Sequence, residues 1–72
     1  MAVITLVNAT SSKIEVRITK DNDEGETSFY VIDKGQSETW ERAQWQVAFI
    51  WRGDNDKTET LVVKPGKTYQ ID

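Results

Sequence analysis

A strict alternation of apolar and polar residues constrains the fold of this chain more than any other feature. In the segment KIEVRIT, residues 13–19, Ile14, Val16 and Ile18 alternate with charged or hydroxyl side chains. A period of two is typical of a β-strand with one buried face, whereas an amphipathic helix repeats its apolar residues every three or four positions. No stretch of the sequence sustains that helical spacing. The pattern therefore predicts an all-β protein.

Turn signals divide the chain into short strands. The clearest breaks are the segments NATSS, KDNDEGE, DKGQ, GDND and KPG, which are rich in glycine, proline, asparagine and aspartate. The strands between them recur at intervals of about ten residues, the spacing of small sandwiches and barrels. We predict a single domain, residues 1–72, built as a small antiparallel β-sandwich or partly open barrel of about seven short strands.

The composition of two strands predicts whether each is central or at the edge of its sheet. In the first, Ile4 and Leu6 alternate with Val3 and Val7, so the strand is apolar on both faces and is expected to be central. The strand SETWER contains Trp40 as its only apolar residue, which favours an edge.

The alternation also predicts which side chains face the core. For the third strand we favour Tyr30 and Ile32 over Phe29 and Val31. For the strand QWQVAFIWR we favour the face of Trp45 and Trp51 over the face of Ile50. The predicted core is Ile4, Leu6, Ile14, Val16, Ile18, Tyr30, Ile32, Trp40, Trp45, Val47, Phe49, Trp51, Leu61, Val63, Tyr69 and Ile71. A chain this short makes a marginal core, so we expect a homo-oligomer in which another copy covers Val3, Val7, Phe29, Val31, Ile50 and Val62.

The composition narrows the function classes. The sequence has no cysteine and no histidine, which removes disulfides, thiolate metal sites and the commonest general base. Its acidic residues fall in turns or at outward strand positions, so we predict a non-catalytic protein with no metal site and no cofactor. Its net charge is −3, with the basic residues scattered singly. A nucleic-acid partner is therefore not expected.

Three short motifs have ordinary explanations as turns. The tripeptide Asp-Asn-Asp occurs at residues 21–23 and 54–56; its oxygens suit Ca²⁺, but neither copy has EF-hand spacing, and any binding would be weak. Residues 52–54 spell the adhesion tripeptide Arg-Gly-Asp, which also suits a strand end and a turn. The sequon at residues 8–10 suits a polar turn after a strand.

No apolar segment approaches the length needed to span a bilayer or to act as a secretory signal. With no cysteine and an initial methionine, we expect a cytoplasmic protein, in which the sequon is idle.

The candidate binding site centres on Trp40. Since its strand is otherwise polar, Trp40 either caps the core or lies exposed beside Glu38, Arg42 and Gln44. An exposed tryptophan among hydrogen-bonding side chains is typical of sugar sites and of protein-interaction hot spots. We therefore predict ligand binding at Trp40, Glu38, Arg42 and Gln44, and assign the other two tryptophans to the core.

The segments VNATSSKIEVRITK, DKGQSETWER and VVKPGKTYQI resemble a group of short, cysteine-free proteins of mushroom-forming fungi. Within the second segment the shared pattern is Gly35, Ser37, Trp40 and Arg42. This resemblance implies no established activity. By looser analogy, small fungal β-sandwich proteins include lectins, membrane-active cytolysins and other defence proteins.

The sequence thus predicts a non-catalytic binding protein, with a lectin-like or defence role and a glycan or other small ligand as the leading interpretation. The first alternative is a self-assembling interaction module. The second is a membrane-surface binder with tryptophans at one rim of the sandwich; the negative net charge disfavours it.

Overall fold

The computed structural model describes residues 2–21 and 28–72, which form seven strands and no helix. The strands are β1 (Val3–Asn8), β2 (Ile14–Ile18), β3 (Tyr30–Ile32), β4 (Ser37–Glu41), β5 (Gln46–Arg52), β6 (Thr58–Val63) and β7 (Thr68–Ile71). The predicted all-β class and the seven short strands are confirmed.

The strands form two separate sheets that do not close into a barrel, so the architecture is a sandwich. One sheet has three strands in the order β4-β1-β7, and the other has four in the order β3-β2-β5-β6. Neighbouring strands are antiparallel except β1 and β7, which are parallel. The central position predicted for β1 and the edge position predicted for β4 are both confirmed.

Two consecutive triplets of strands follow the same course. Each of β1-β2-β3 and β4-β5-β6 begins in the three-stranded sheet and continues as a hairpin in the four-stranded sheet. The triplets run in opposite directions, since β1 is antiparallel to β4 and β2 is antiparallel to β5. Asp21 and Asp54, which begin the two Asp-Asn-Asp segments, therefore lie in equivalent connections at opposite ends of the sandwich.

The hydrophobic core lies between the sheets. The three-stranded sheet contributes Ile4, Leu6, Trp40 and Ile71, and the four-stranded sheet contributes Ile14, Val16, Ile18, Ile32, Ala48, Ile50 and Val63. Leu61 and Tyr69 are partly buried and pack against this cluster. The inward positions predicted for β1, β2 and β4 are confirmed in full.

The face predicted to be buried in β5 is wrong. Gln46, Ala48 and Ile50 are buried, whereas Trp45, Val47, Phe49 and Trp51 lie on the opposite side of the strand, exposed or half-buried. The register explains the reversal: inward Val16 pairs with Ile50, and paired residues in an antiparallel ladder share a face. Ile50, expected outside, is therefore a core residue.

Tyr30 and Ile32 lie on the inward face of β3, as predicted, but Tyr30 is not fully buried. Ile32 is buried, while Tyr30 keeps 39% of its surface exposed because β3 is an edge strand. The ring of Tyr30 meets the indole of Trp40 edge-to-face, with centroids 6.3 Å apart and planes at 72°. The pair closes one open side of the sandwich, where the edges β3 and β4 face each other.

Two tight turns contain the glycines that their geometry requires. Gln36 N donates to Asp33 O across one turn, and Lys67 N donates to Lys64 O across the other. The third residue of each turn has positive φ, 78° at Gly35 and 83° at Gly66. A left-handed third position is the mark of a type II turn and favours glycine. The turn predicted for the KPG segment is thus confirmed.

Candidate functional site

The reversed face of β5 creates an unusual surface on the four-stranded sheet. We call the side of this sheet that points away from the three-stranded sheet the outer face. Antiparallel sheets with one solvated face normally carry polar residues there. Here, by contrast, it includes Phe29, Val31 and Val62, each more than half exposed, and the half-buried Val47, Phe49 and Trp51.

Cross-strand pairing arranges the outer face in rows. Phe49 lies between Arg17 on β2 and Thr60 on β6, and Phe29, just before β3, extends this row beyond Arg17. The adjacent row consists of Val31, Glu15, Trp51 and Thr58. Aromatic rings in β5 are thus flanked by charged residues of β2 and by threonines of β6.

A groove of about 370 Å³ runs across these rows. It is lined by Arg17, Phe29, Phe49, Ile50, Trp51, Thr58, Glu59 and Thr60. Its volume lies in the range of small-ligand sites, which combine apolar walls with a few polar groups. The groove is the candidate site.

Arg17 and Phe49 form one wall of the groove. The guanidinium carbon of Arg17 lies 4.6 Å from the centroid of the Phe49 ring, within the range of a cation–π contact. An exposed contact of this kind contributes about 0.5–1 kcal/mol and restrains both side chains. The contact therefore favours one placement of the Phe49 ring before any ligand arrives.

Trp51 is restrained by a residue of the β5–β6 turn. Its indole Nε1–H donates to Oδ1 of Asp56 at 3.0 Å. Asp56 lies in the β5–β6 turn with φ of 56°, a left-handed conformation that aspartate tolerates better than most residues. The turn thereby orients an aromatic ring of the groove.

Glu59 belongs to a charged cluster at the end of the groove. Arg52 donates from Nη1 to Glu59 Oε2 at 2.7 Å, and from Nε and Nη2 to the two carboxylate oxygens of Asp54 at 3.0 and 2.9 Å. The bond to Asp54 is the main cause of the raised pKa of Arg52, and Arg52 in turn lowers the pKa of Asp54. These contacts fix Glu59 at the groove margin.

The groove combines apolar surfaces with hydrogen-bonding groups. The aromatic rings present flat apolar surfaces, and Arg17, Thr58, Thr60 and Glu59 surround them with donors and acceptors. The carboxylates of Asp54, Asp56 and Glu59 already accept hydrogen bonds from Arg52 or Trp51. Such a surface matches a ligand with an apolar face and a hydroxylated edge.

The structure does not assemble the predicted site around Trp40. Trp40 is only 5% exposed because it faces the core from β4 and packs against Tyr30. Glu38 and Gln44 are exposed, but Arg42 is buried. Of the two roles considered for Trp40, capping the core is the one observed.

Arg42 acts as a link between the sheets. From the end of β4 it donates to the carbonyls of Thr19, Glu41 and Ile18 at 2.8, 2.8 and 3.4 Å. Two of these acceptors lie at the end of β2, in the opposite sheet. Its guanidinium is thus engaged with backbone and is not presented to a ligand.

The assignment of the other two tryptophans to the core is also wrong. Trp45 is 62% exposed, and Trp51 is half-buried in the wall of the groove. The limited space between two packed sheets could have indicated that these two tryptophans lie outside the core. Packed sheets lie about 10 Å apart, which leaves little room for Trp40, Trp45, Phe49 and Trp51 together in a domain of 72 residues.

The acidic turns provide no evident cation site where they are described. Residues 22–27 lie outside the described residues, so the first Asp-Asn-Asp segment is not tested. In the second, Asp54 and Asp56 bind Arg52 and Trp51, and Asn55 Oδ1 accepts the Lys57 amide at 3.0 Å. Over residues 2–21 and 28–72, no group of three or more acidic side chains is placed to hold a metal ion.

The Arg-Gly-Asp tripeptide is a turn whose charged side chains bind each other. Arg52 and Asp54 form the two-bond pair described above, with side chains 13% and 23% exposed. Gly53 N donates to Lys13 O at 3.0 Å, and a Cβ at Gly53 would lie 2.7 Å from that oxygen. The glycine is therefore required by close backbone approach, which supports the structural explanation of the motif.

The sequon asparagine is buried and structural. Asn8 Nδ2 donates to Ser12 O and Ile32 O at 2.9 and 2.8 Å, while its Oδ1 accepts from the amide and hydroxyl of Thr10. The side chain joins the end of β1 to the loop that follows and to the end of β3. No exposed amide is left for a glycan in the folded protein.

Comparison with known proteins found no matching family model, no matching curated protein and no matching solved structure. Among the described residues there is also no helix of the length and apolarity required to span a bilayer. Functional inference for this chain therefore rests on the geometry of the outer face.

Proposed function

We propose that this protein is a non-catalytic binding domain that takes a glycan into the groove of the outer face. The observation that carries the proposal is the pairing of two restrained aromatic rings, Phe49 and Trp51, with a polar margin in a groove of about 370 Å³. A pyranose ring has C–H groups on its faces and hydroxyls around its edge. Its chemistry therefore matches both parts of the groove.

Preorganisation supports this proposal. Binding is weakened when side chains must be ordered as the ligand arrives, by about 0.5–1.5 kcal/mol for each flexible side chain. In the groove, Arg17 restrains Phe49 and Asp56 restrains Trp51 before binding. Rigid aromatic surfaces are a common feature of ligand sites.

Tryptophan emission provides the test. A broad panel of neutral and acidic oligosaccharides is titrated into the Trp45→Phe variant, in which only buried Trp40 and groove residue Trp51 report. A saturable change is expected for at least one glycan. Trp51→Ala should weaken that binding at least about tenfold, or about 1.4 kcal/mol. A flat response across the panel would reject the glycan proposal.

The matched control is Trp45→Ala. Trp45 is exposed but does not line the groove. Its removal should leave affinity for the same glycan unchanged, when measured by calorimetry. Equal losses in Trp45→Ala and Trp51→Ala would place the ligand elsewhere on β5.

Self-assembly is the second candidate function. The exposed side chains of Phe29, Val31 and Val62 on the outer face favour it, because exposed apolar surface on a small protein commonly marks an interaction site. Membrane-surface binding is the third; exposed Trp45 at one end of the sandwich supports it. Failure to co-float with neutral and anionic liposomes would remove it.

Two further parts of the proposal concern biological setting. The lack of cysteine accords with a cytoplasmic location, where disulfides rarely persist. The looser analogy with small fungal β-sandwich proteins, which include lectins and other defence proteins, accords with a lectin-like role in defence.

A further inference from the structure

We propose that two copies of this chain associate face to face through their outer faces, around a two-fold axis, and that this association closes the groove. The inference deepens the proposed function, since it concerns access to the same surface. It specifies both the partner, a second copy of the chain, and the relative placement of the two sheets.

The register of the four-stranded sheet makes its outer face self-complementary. One row contains Arg17, Phe49 and Thr60 of β2, β5 and β6, and Phe29, just before β3, extends it beyond Arg17. The adjacent row contains Val31, Glu15, Trp51 and Thr58, in the strand order β3, β2, β5, β6. Consider a two-fold axis that runs parallel to the outer face, across the strands and midway between the two rows. Rotation about this axis places each row of one copy opposite the other row of the second copy. Each strand then faces its own copy in the reverse direction.

This exchange places opposite charges against each other. Arg17 and Glu15 are two residues apart on β2, so they point to the same face. Around the axis, Arg17 of each copy faces Glu15 of the other, which forms two equivalent ion pairs. Charge arrangement of this kind sets register and rejects wrong partners.

The same operation matches the apolar groups. Phe29 faces Val31 of the other copy, and Phe49 faces Trp51. The first pair belongs to β3 and the residue just before it, and the second belongs to β5, so the charged pairs of β2 are flanked by apolar contacts on each side. Isologous two-fold interfaces require self-complementarity of this type. Aromatic side chains of one copy would enter the groove of the other.

The size of the protein favours a second copy over bare solvent on this face. A chain of 72 residues buries a smaller share of its surface than larger domains do, and many such chains gain stability by association. The core does not use the aromatic groups of β5, which leaves them on the outer face. Covering them with a second copy removes them from water.

Charge reversal tests the geometry directly. Sedimentation velocity across a micromolar to millimolar concentration series should show a monomer–dimer equilibrium for the wild-type chain. Glu15→Arg and Arg17→Glu each place like charges across the axis and should weaken the dimer at least about tenfold. An equimolar mixture of the two variants should associate, since one outer face is then positive and the other negative. The double variant Glu15→Arg/Arg17→Glu should associate with itself.

Glu38→Arg is the matched control, since Glu38 is exposed in the other sheet and its charge change equals that of Glu15→Arg. It should leave dimerisation unchanged. A strictly monomeric wild type at millimolar concentration would overturn the proposal. So would association that neither charge reversal weakens, or variants whose mixture fails to associate although circular dichroism shows them folded.

Acrylamide quenching tests the same interface without charge variants. Trp51 lies inside the proposed interface, whereas Trp45 precedes β5 and lies outside the two rows. In Trp45→Phe, quenching of Trp51 should fall as concentration rises, and in Trp51→Phe, quenching of Trp45 should not. The opposite pattern would place the interface elsewhere. These tests contain no glycan, and glycan titration of monomeric Glu15→Arg separates failure of the dimer from failure of the glycan site.

Discussion

The indole N–H of Trp51 donates to a carboxylate oxygen of Asp56 at 3.0 Å, so a turn residue fixes a ring of the groove. This contact joins a strand of the outer face to the left-handed position of the β5–β6 turn. It can be broken without disturbing the turn, because glycine adopts positive φ freely.

We expect Asp56→Gly to free the Trp51 ring while changing the free energy of unfolding by less than about 1 kcal/mol, since the lost hydrogen bond is exposed and glycine suits the turn. Acrylamide quenching in a Trp45→Phe background should increase. Asp56→Asn keeps an acceptor oxygen and tolerates the same φ, so its quenching should match that of the parent. Identical quenching in all three proteins would show that Asp56 does not restrain the ring.

Trp40 should behave as a core residue. Trp40→Ala is expected to destabilise the fold by about 3–5 kcal/mol, the usual effect of deleting a large buried aromatic side chain. Trp45→Ala, at a position 62% exposed, should stay within about 0.5 kcal/mol of wild type. Urea unfolding measures both. Similar midpoints for the two variants would contradict the burial of Trp40.

Asn8 should be among the most sensitive polar positions. Asn8→Ala removes the hydrogen bonds to Ser12, Ile32 and Thr10, and it leaves buried backbone groups without partners. We expect a loss of at least about 2 kcal/mol in the free energy of unfolding. Ser11→Ala, an exposed change in the same loop, is the control and should cost less than about 0.5 kcal/mol.

Acid should weaken the β5–β6 turn through Asp54. Arg52 lowers the pKa of Asp54 in the folded protein relative to the unfolded chain. This carboxylate therefore stabilises the fold above its unfolded pKa of about 3.9, and the stabilisation is lost as pH falls through the lower, folded pKa.

We expect the free energy of unfolding to fall as pH decreases below about 4, and to fall less steeply in Asp54→Asn. Urea unfolding at several pH values from 6 to about 2.5 measures the difference. Glu41→Gln removes one exposed negative charge elsewhere and serves as the comparison. Equal changes in the two variants would attribute the effect to net charge and not to the bond with Arg52.

The strands were predictable because side-chain alternation is a local property of the backbone. Ile14, Val16 and Ile18 alternate with polar residues, so only one face of β2 suits a core. The turns at Gly35 and Gly66 were equally predictable from the sequence, because a positive φ at these positions favours glycine. Local chemistry determines each of these features.

The candidate site was not predicted because both faces of β5 are apolar. Hydrophobicity favoured the side with Trp45, Phe49 and Trp51, but the narrow space between the sheets accepts the smaller Ala48 and Ile50. The choice depends on pairing with β2, a contact between residues distant in the sequence.

The parallel pairing of β1 with β7 has a consequence for how the protein is made. Thr5 N bonds to Lys67 O, Ala9 N bonds to Ile71 O, and the Ile71 side chain belongs to the core. Strand β1 therefore lacks one of its two neighbours until β7 has been synthesised. Because this pairing joins residues more than 60 positions apart, we expect the three-stranded sheet to form late and slowly. A chain that stalls before β7 would present the bare edge of β1 to chaperones and to other nascent chains.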